Sequence, residues 1–268
     1  MRNSIVSYKN VFVLFIVAAI TFSCSTDEDK MDDNLNNTVL TADELQLVLE
    51  TDQLSGVVDT LLSELYMNNG ATGKSAETGE CYTTEYSDTG YTVTFDDCTL
   101  NETDTVSGTL SVAYGSNGEN TSFAATYSDF FVNGAELNGT RSFLLVGEAN
   151  GNSLSFSVTS DMDMVWADGT IVAESGNRAF GFSIGDSLED IAVTLNGNWN
   201  LAVGADVYKV TITDTLETNI ACSYISEGKM TLDKNGLVVL VDFGNGTCDD
   251  GVTITYPNGT TEEISLKD

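Results

Sequence analysis

Asp161 and Asp163 stand two apart in an alternating segment, so they would share one face of a β-strand with Trp166 close by. A carboxylate pair flanked by an aromatic ring is the minimum that glycoside hydrolysis needs. In a chain with 41 acidic residues such pairs arise freely, and solvated strand positions are the better reading. The segment Asp242-Phe-Gly-Asn-Gly-Thr-Cys-Asp-Asp-Gly251 offers hard oxygen ligands at Asp242, Asn245, Asp249 and Asp250, of the kind calcium takes. It lacks the D-x-D-x-D spacing and the downstream glutamate of an EF-hand, so a glycine-rich turn held by a disulfide is preferred. Trp166 and Trp199 could stack on a sugar ring, against a default of core packing for aromatics in strands. Histidine is absent, which excludes Ser-His-Asp and Cys-His catalysis and the commonest imidazole metal sites. The expectation is a non-enzymatic chain without a cofactor, calcium being the one weak candidate; a carboxylate-pair hydrolase acting on polysaccharide is the alternative.

Of the five cysteines, four lie in the interior of the chain, an even number that argues for two disulfides in an exported protein. Cys81 and Cys98 are equidistant from Thr89-Gly90, so a two-residue turn there would set them opposite each other on a hairpin. Cys222 and Cys248 are centred on Asn235, and a three-residue loop Lys234-Asn235-Gly236 gives the matching register. Each bridge would contribute about 3 kcal/mol in a chain-entropy account. The two other connectivities stay open, and zinc is a weaker rival because no CxxC pair exists.

The fifth cysteine, Cys24, belongs to the targeting segment. Residues 1–10 carry Arg2 and Lys9 and no acid, and residues 11–22 form an unbroken apolar run too short to span a bilayer as a helix. The run ends at Thr21-Phe22-Ser23-Cys24, which resembles a lipobox, where diacylglycerol is added to the cysteine before cleavage. Residues 1–23 are therefore expected to be a lipoprotein signal peptide and Cys24 the lipidated N-terminus. The acidic run after Cys24 resembles the export tag that carries lipoproteins of the Bacteroidetes to the cell surface. An outer-membrane anchor with the domain exposed outside the cell is expected, a periplasm-facing domain being the alternative. Residues 24–40 read as an acidic tether reaching on the order of 20 Å. Cleavage removes two basic residues and no acid, deepening the formal charge of −31 by two. Such a chain repels nucleic acid and anionic membrane surfaces, both of which need a cationic footprint.

Positioning elements follow from the pattern. Thr41-Ala-Asp-Glu44 is a capping box opening an amphipathic helix over 41–67, with a phase slip around Asp52-Gln53 and Gly56 that would kink or divide it. The helix is expected to pack on the chain's own sheet. Residues 68–80 read as a linker. Residues 81–268 read as one antiparallel β-domain, because segments such as Tyr91–Phe95, Thr109–Tyr114 and Tyr208–Thr213 alternate apolar and polar residues. Asn133-Gly134, Asp168-Gly169, Asn235-Gly236 and Asn258-Gly259 predict tight type I′ turns. A weak repeat, [ND]-G then G-x-R-x-F, occurs at Asn133–Phe143 and Asp168–Phe180. The fold class is thus mainly β: a long meander of about a dozen strands, as a bent sheet or open barrel, with one N-terminal helix.

From Cys81 to Leu266 the order of elements resembles a group of uncharacterised lipoproteins common in Bacteroidetes. The residues carrying it are Tyr91–Cys98, Tyr127–Gly134 with Leu137–Phe143, and above all the ending Val241-Asp-Phe-Gly-Asn-Gly-Thr-Cys-Asp-Asp-Gly251. The resemblance implies an exported β-rich lipoprotein and brings no activity. The function expected is a binding or structural module held to the membrane by lipid, with a glycan or other surface ligand as partner.

Overall fold

A computed structural model describes residues 39–69, 77–78, 81–100, 103–115, 122–149, 153–183, 192–219 and 221–267. The expected signal peptide, Cys24 and the expected tether as far as residue 38 lie outside the described residues, as does most of the expected 68–80 linker. The described residues belong to one compact unit, Asn34–Asp268. It contains two helices, α1 (Ala42–Gly56) and α2 (Asp59–Asn69), followed by strands β1 (Glu77–Thr78), β2 (Tyr82–Tyr86), β3 (Gly90–Leu100), β4 (Asp104–Tyr114), β5 (Ser122–Val132), β6 (Ala135–Ala149), β7 (Ser153–Val165), β8 (Ile171–Ser183), β9 (Ala192–Val203), β10 (Asp206–Asn219), β11 (Glu227–Lys234), β12 (Leu237–Asn245), β13 (Gly251–Thr255) and β14 (Thr261–Ser265).

The strands form one antiparallel sheet in the order β1 to β14, each bonded only to its neighbours in sequence. This is the predicted meander in its open form, since the described residues give no pairing of β14 with β1. Alternation works as expected. Along β7, Val158, Ser160, Met162 and Met164 are buried while Thr159, Asp161 and Asp163 are exposed. The inner faces of the strands share one apolar core with the helices.

The sheet wraps the helices rather than lying flat beneath them. α1, α2 and the turn between them bury Leu45, Val48, Leu54, Val58, Leu62 and Leu65 and are touched from many directions. Tyr91 on β3 donates to the Leu62 carbonyl at 2.7 Å, Tyr66 stacks on Phe123 of β5, and Gln46 donates to the Leu266 carbonyl at 3.3 Å. Leu40, placed in the tether by its sequence, is 1% exposed, so the folded unit includes the residue before the cap. The capping box is formed: the Thr41 hydroxyl accepts from Glu44 N at 3.2 Å, and the Glu44 carboxylate accepts from Thr41 N at 3.0 Å. The helix is divided at Val57-Val58, next to Gly56.

Several local expectations need correction. The 68–80 linker is shortened at both ends, by α2 running to Asn69 and by β1 pairing with β2. Both predicted disulfides form, Cys81–Cys98 and Cys222–Cys248, with Cα separations of 5.2 and 5.8 Å. The hairpins around them differ from those predicted. In β2–β3, Tyr86 pairs with Tyr91 and Ser87 N donates to the Gly90 carbonyl, so the turn sits at Asp88-Thr89 rather than Thr89-Gly90. A bulge at Asp96-Asp97, with Asp97 at φ 46°, brings Cys98 back opposite Cys81. In β11–β12, Lys234 pairs with Leu237 across a two-residue Asn235-Gly236 turn, and Cys222 and Cys248 lie in the loops beyond the ladder.

Asn133-Gly134 and Asn235-Gly236 are type I′ in character, with both residues at positive φ. Asp168-Gly169 and Asn258-Gly259 are not, because in each only the glycine has positive φ. They close five-residue loops, Trp166–Thr170 and Tyr256–Thr260, in which the Asp168 or Asn258 oxygen accepts from the amide two residues on.

Candidate functional site: a cleft beside a buried charge cluster

The G-x-R-x-F repeat sets the centre of the molecule. Arg141 on β6 and Arg178 on β8 are the only arginines beyond Arg2, and both side chains are fully buried. An arginine cannot shed its charge at that depth, so the surroundings must supply carboxylates. They come from the helices and from β8. Asp52, Ser55 and Asp59, three and four residues apart, face the sheet from α1 and the start of α2, and Glu174 lies four residues before Arg178 on β8.

Arg141 grips Asp59 with two hydrogen bonds, Nε to Oδ1 at 3.1 Å and Nη2 to Oδ2 at 2.6 Å, and its Nη1 donates to Ser55 Oγ at 2.9 Å. Arg178 Nη1 donates to Glu174 Oε1 at 3.0 Å and to Ser160 Oγ at 2.8 Å, while Ser160 donates to Glu174 at 2.7 Å. Arg178 Nε is also in contact with the Asp52 carboxylate, an ion pair not aligned as a hydrogen bond. Trp199 on β9 completes the group: Arg178 lies over its ring at 4.5 Å, and Gly176, paired directly with Trp199, approaches so closely that a Cβ there would stand 2.4 Å from Trp199 Cα and Cβ.

Three carboxylates face two guanidiniums here. Burial pushes the Asp59 carboxyl up to about 6 against the opposing pull of Arg141, and raises Asp52 as well. An acid whose pKa is raised on folding is protonated more readily in the folded state. Its stabilising contribution is full below the unfolded value near 4 and is lost as pH rises to about 6. The formal charge of −31 acts in the same sense through self-repulsion. The midpoint of thermal unfolding at pH 5 is therefore expected to exceed that at pH 7.5, with Asp59→Asn reducing the difference. A midpoint that rises steadily to pH 7.5 would show that Asp59 is ionised throughout.

Beside this cluster, between α1 and strands β8 to β10, runs a cleft of about 430 Å³. Phe180, Leu195, Trp199, Leu216 and Leu266 make its apolar walls. Gln46, Leu49, Glu50 and Gln53 present one edge of α1 to it, and Tyr224 and Ile225, in the loop pinned by Cys222–Cys248, form the far side. Asp52 joins cleft and cluster.

The residues singled out from sequence are placed differently. Asp161 and Asp163 are exposed on the outer face of β7, with the sheet between them and the cleft. Asp242 pairs with Lys229 at 3.0 Å and accepts from Gly244 N; Asn245 accepts from Thr247, Asp249 from Gly251 N, and Asp250 from Ser265. These four face local partners and do not converge, and among the described residues no group of three or more acidic, Cys or His side chains could hold a metal. Trp199 is 1% exposed, a core residue rather than a surface platform, and Trp166 is half-buried. Sequence reasoning missed the charge cluster, whose signal was present in the arginines of the repeat and in two aspartates interrupting an apolar helical stripe.

The chain matches no family model, no curated protein and no solved structure.

Proposed function

We propose that the chain is an exported, lipid-anchored binding protein of a bacterial envelope, tethered at the outer membrane through Cys24 with its domain outside the cell, and that it holds an apolar ligand rather than transforming one. The observation that carries the binding half is the 430 Å³ cleft, which is walled by aromatic and aliphatic side chains. Its volume is in the range that encloses a small organic molecule. The anchoring half is supported by the apolar run and lipobox-like Thr21–Cys24, and by the resemblance to Bacteroidetes lipoproteins. The placement of Asp161 and Asp163 lends nothing to a hydrolase, and a buried Trp199 favours an apolar ligand over a stacked sugar.

Titration with Nile red, a neutral apolar dye, tests the cleft. Wild-type protein is expected to enhance and blue-shift its emission at a single site. Val193→Trp, which fills the cleft from half-buried β9, should weaken the effect at least about tenfold with the fold intact by circular dichroism. Equal binding by both proteins would remove the cleft from consideration.

A further inference from the structure

A second cavity, about 220 Å³, shares Asp52, Gln53 and Phe180 with the cleft and continues it past the end of α1. Its walls are chemically opposed. One consists of Phe156, Phe180 and Phe182, with ring centroids 5.4 Å apart for Phe156–Phe180 and 5.8 Å for Phe156–Phe182. The other is lined by Asp52, Asp59 and Asp104, the first two paired with Arg178 and Arg141. No lysine or arginine lines either cavity among the described residues.

With all three acids ionised, Asp52, Asp59 and Glu174 exceed Arg141 and Arg178 by one negative charge, and Glu174 Oε2, fully buried, has no hydrogen-bond partner among the described residues. Asp104, 7% exposed, also lines the smaller cavity, and its carboxylate accepts from Asn133 Nδ2 at 2.9 Å. The faces of phenyl rings attract cations, and more strongly where water is excluded. A small metal ion would find rings in place of oxygen ligands on one side, whereas an alkylammonium suits both walls.

The geometry points to an organic cation as the ligand: an ammonium head between the phenylalanine and aspartate walls of the smaller cavity, with its apolar body lying along Leu195, Trp199 and Leu216 in the larger one. This rests on the cleft being a binding site, as proposed above. Anionic amphiphiles are disfavoured twice, by the local carboxylates and by a formal charge of −31.

The test compares hexyltrimethylammonium, 1-hexanol and hexanoate, titrated into the full-length chain and followed by calorimetry and tryptophan fluorescence. The ammonium compound is expected to bind at least about tenfold more tightly than hexanol, with hexanoate weakest, and its advantage should shrink as salt is raised. Phe182→Leu and Asp104→Asn alter the head site without touching either arginine pair, and each should cut the ammonium preference severalfold with the fold intact by circular dichroism. Hexanol binding as tightly as the ammonium would overturn the cation and leave the cleft reading standing. Nile red binding with no hexyl compound bound would do the same. Failure of Nile red together with all three compounds would overturn both readings. An ammonium preference preserved in both variants would overturn the placement of the head.

Discussion

Replacing Arg141 by methionine is expected to lower folding stability by about 3–5 kcal/mol, because it leaves uncompensated charge in the core. The guanidinium is fully buried and holds both oxygens of Asp59, the Ser55 hydroxyl and, at 3.7 Å, Glu174. Without it, Arg178 alone faces three carboxylates, of which Asp59 and Glu174 are nearly or fully removed from solvent. Methionine fills much of the volume, so the loss would be electrostatic rather than a cavity. Denaturant unfolding measures it. The double variant Arg141→Met/Asp59→Leu should regain a large part of the loss, since an apolar pair of similar size needs no desolvation of ions. A single-variant loss below about 1 kcal/mol would show that water reaches the cluster.

Gly139→Ala is expected to be the next most damaging change, at about 3 kcal/mol or more. Gly139 has φ 134°, which only glycine adopts readily, and it lies against β7 so closely that a Cβ would stand 2.2 Å from the Asp161 carbonyl oxygen and 2.8 Å from Met162 Cα. Strands β6 and β7 would have to part, two residues from Arg141. Gly197 repeats the arrangement against Asn177 and Arg178. The control is Gly134→Ala in the β5–β6 turn, where φ is 81° and nothing lies within 4 Å of the added carbon. Its loss is expected near 1 kcal/mol, from backbone strain alone. Comparable losses at the two positions would mean that close packing of β6 on β7 contributes little.

What could be read from the chain divides along physical lines. Period-two alternation reports which face is buried, and in a meander the neighbour in sequence is the neighbour in space, so strand number and order follow from local pattern. The cysteine pairs were legible for a less direct reason. Symmetric spacing pointed to Cys81–Cys98, yet the actual turn is at Asp88-Thr89 and only the Asp97 bulge restores the match. Bulges escape because one extra residue leaves no mark on composition. Asn-Gly and Asp-Gly look alike as dipeptides, but Asp168 and Asn258 keep negative φ by using their side chains to accept from Thr170 and Thr260. The candidate site was hidden by the same local habit. Arg141 and Arg178 were visible as a repeat, and Asp52 as an irregularity of the helix, but their meeting depends on the sheet curling through three dimensions. Exposed acids such as Asp161 and Asp249 stand out because carboxylates suggest chemistry, whereas the buried ones sit within an apparently apolar pattern.

A sheet whose strands bond only to their chain neighbours, wound about a two-helix axle, has a circumference that chain length sets directly. Inserting or deleting one hairpin at a turn such as Asn133-Gly134 would break no long-range pairing and require no re-threading. It would change how far the wrapping reaches around an axle of fixed girth, slackening or tightening the gap along α1. Relatives built on this plan could alter the width of that gap by counting strands, with no exchange of the residues that line it.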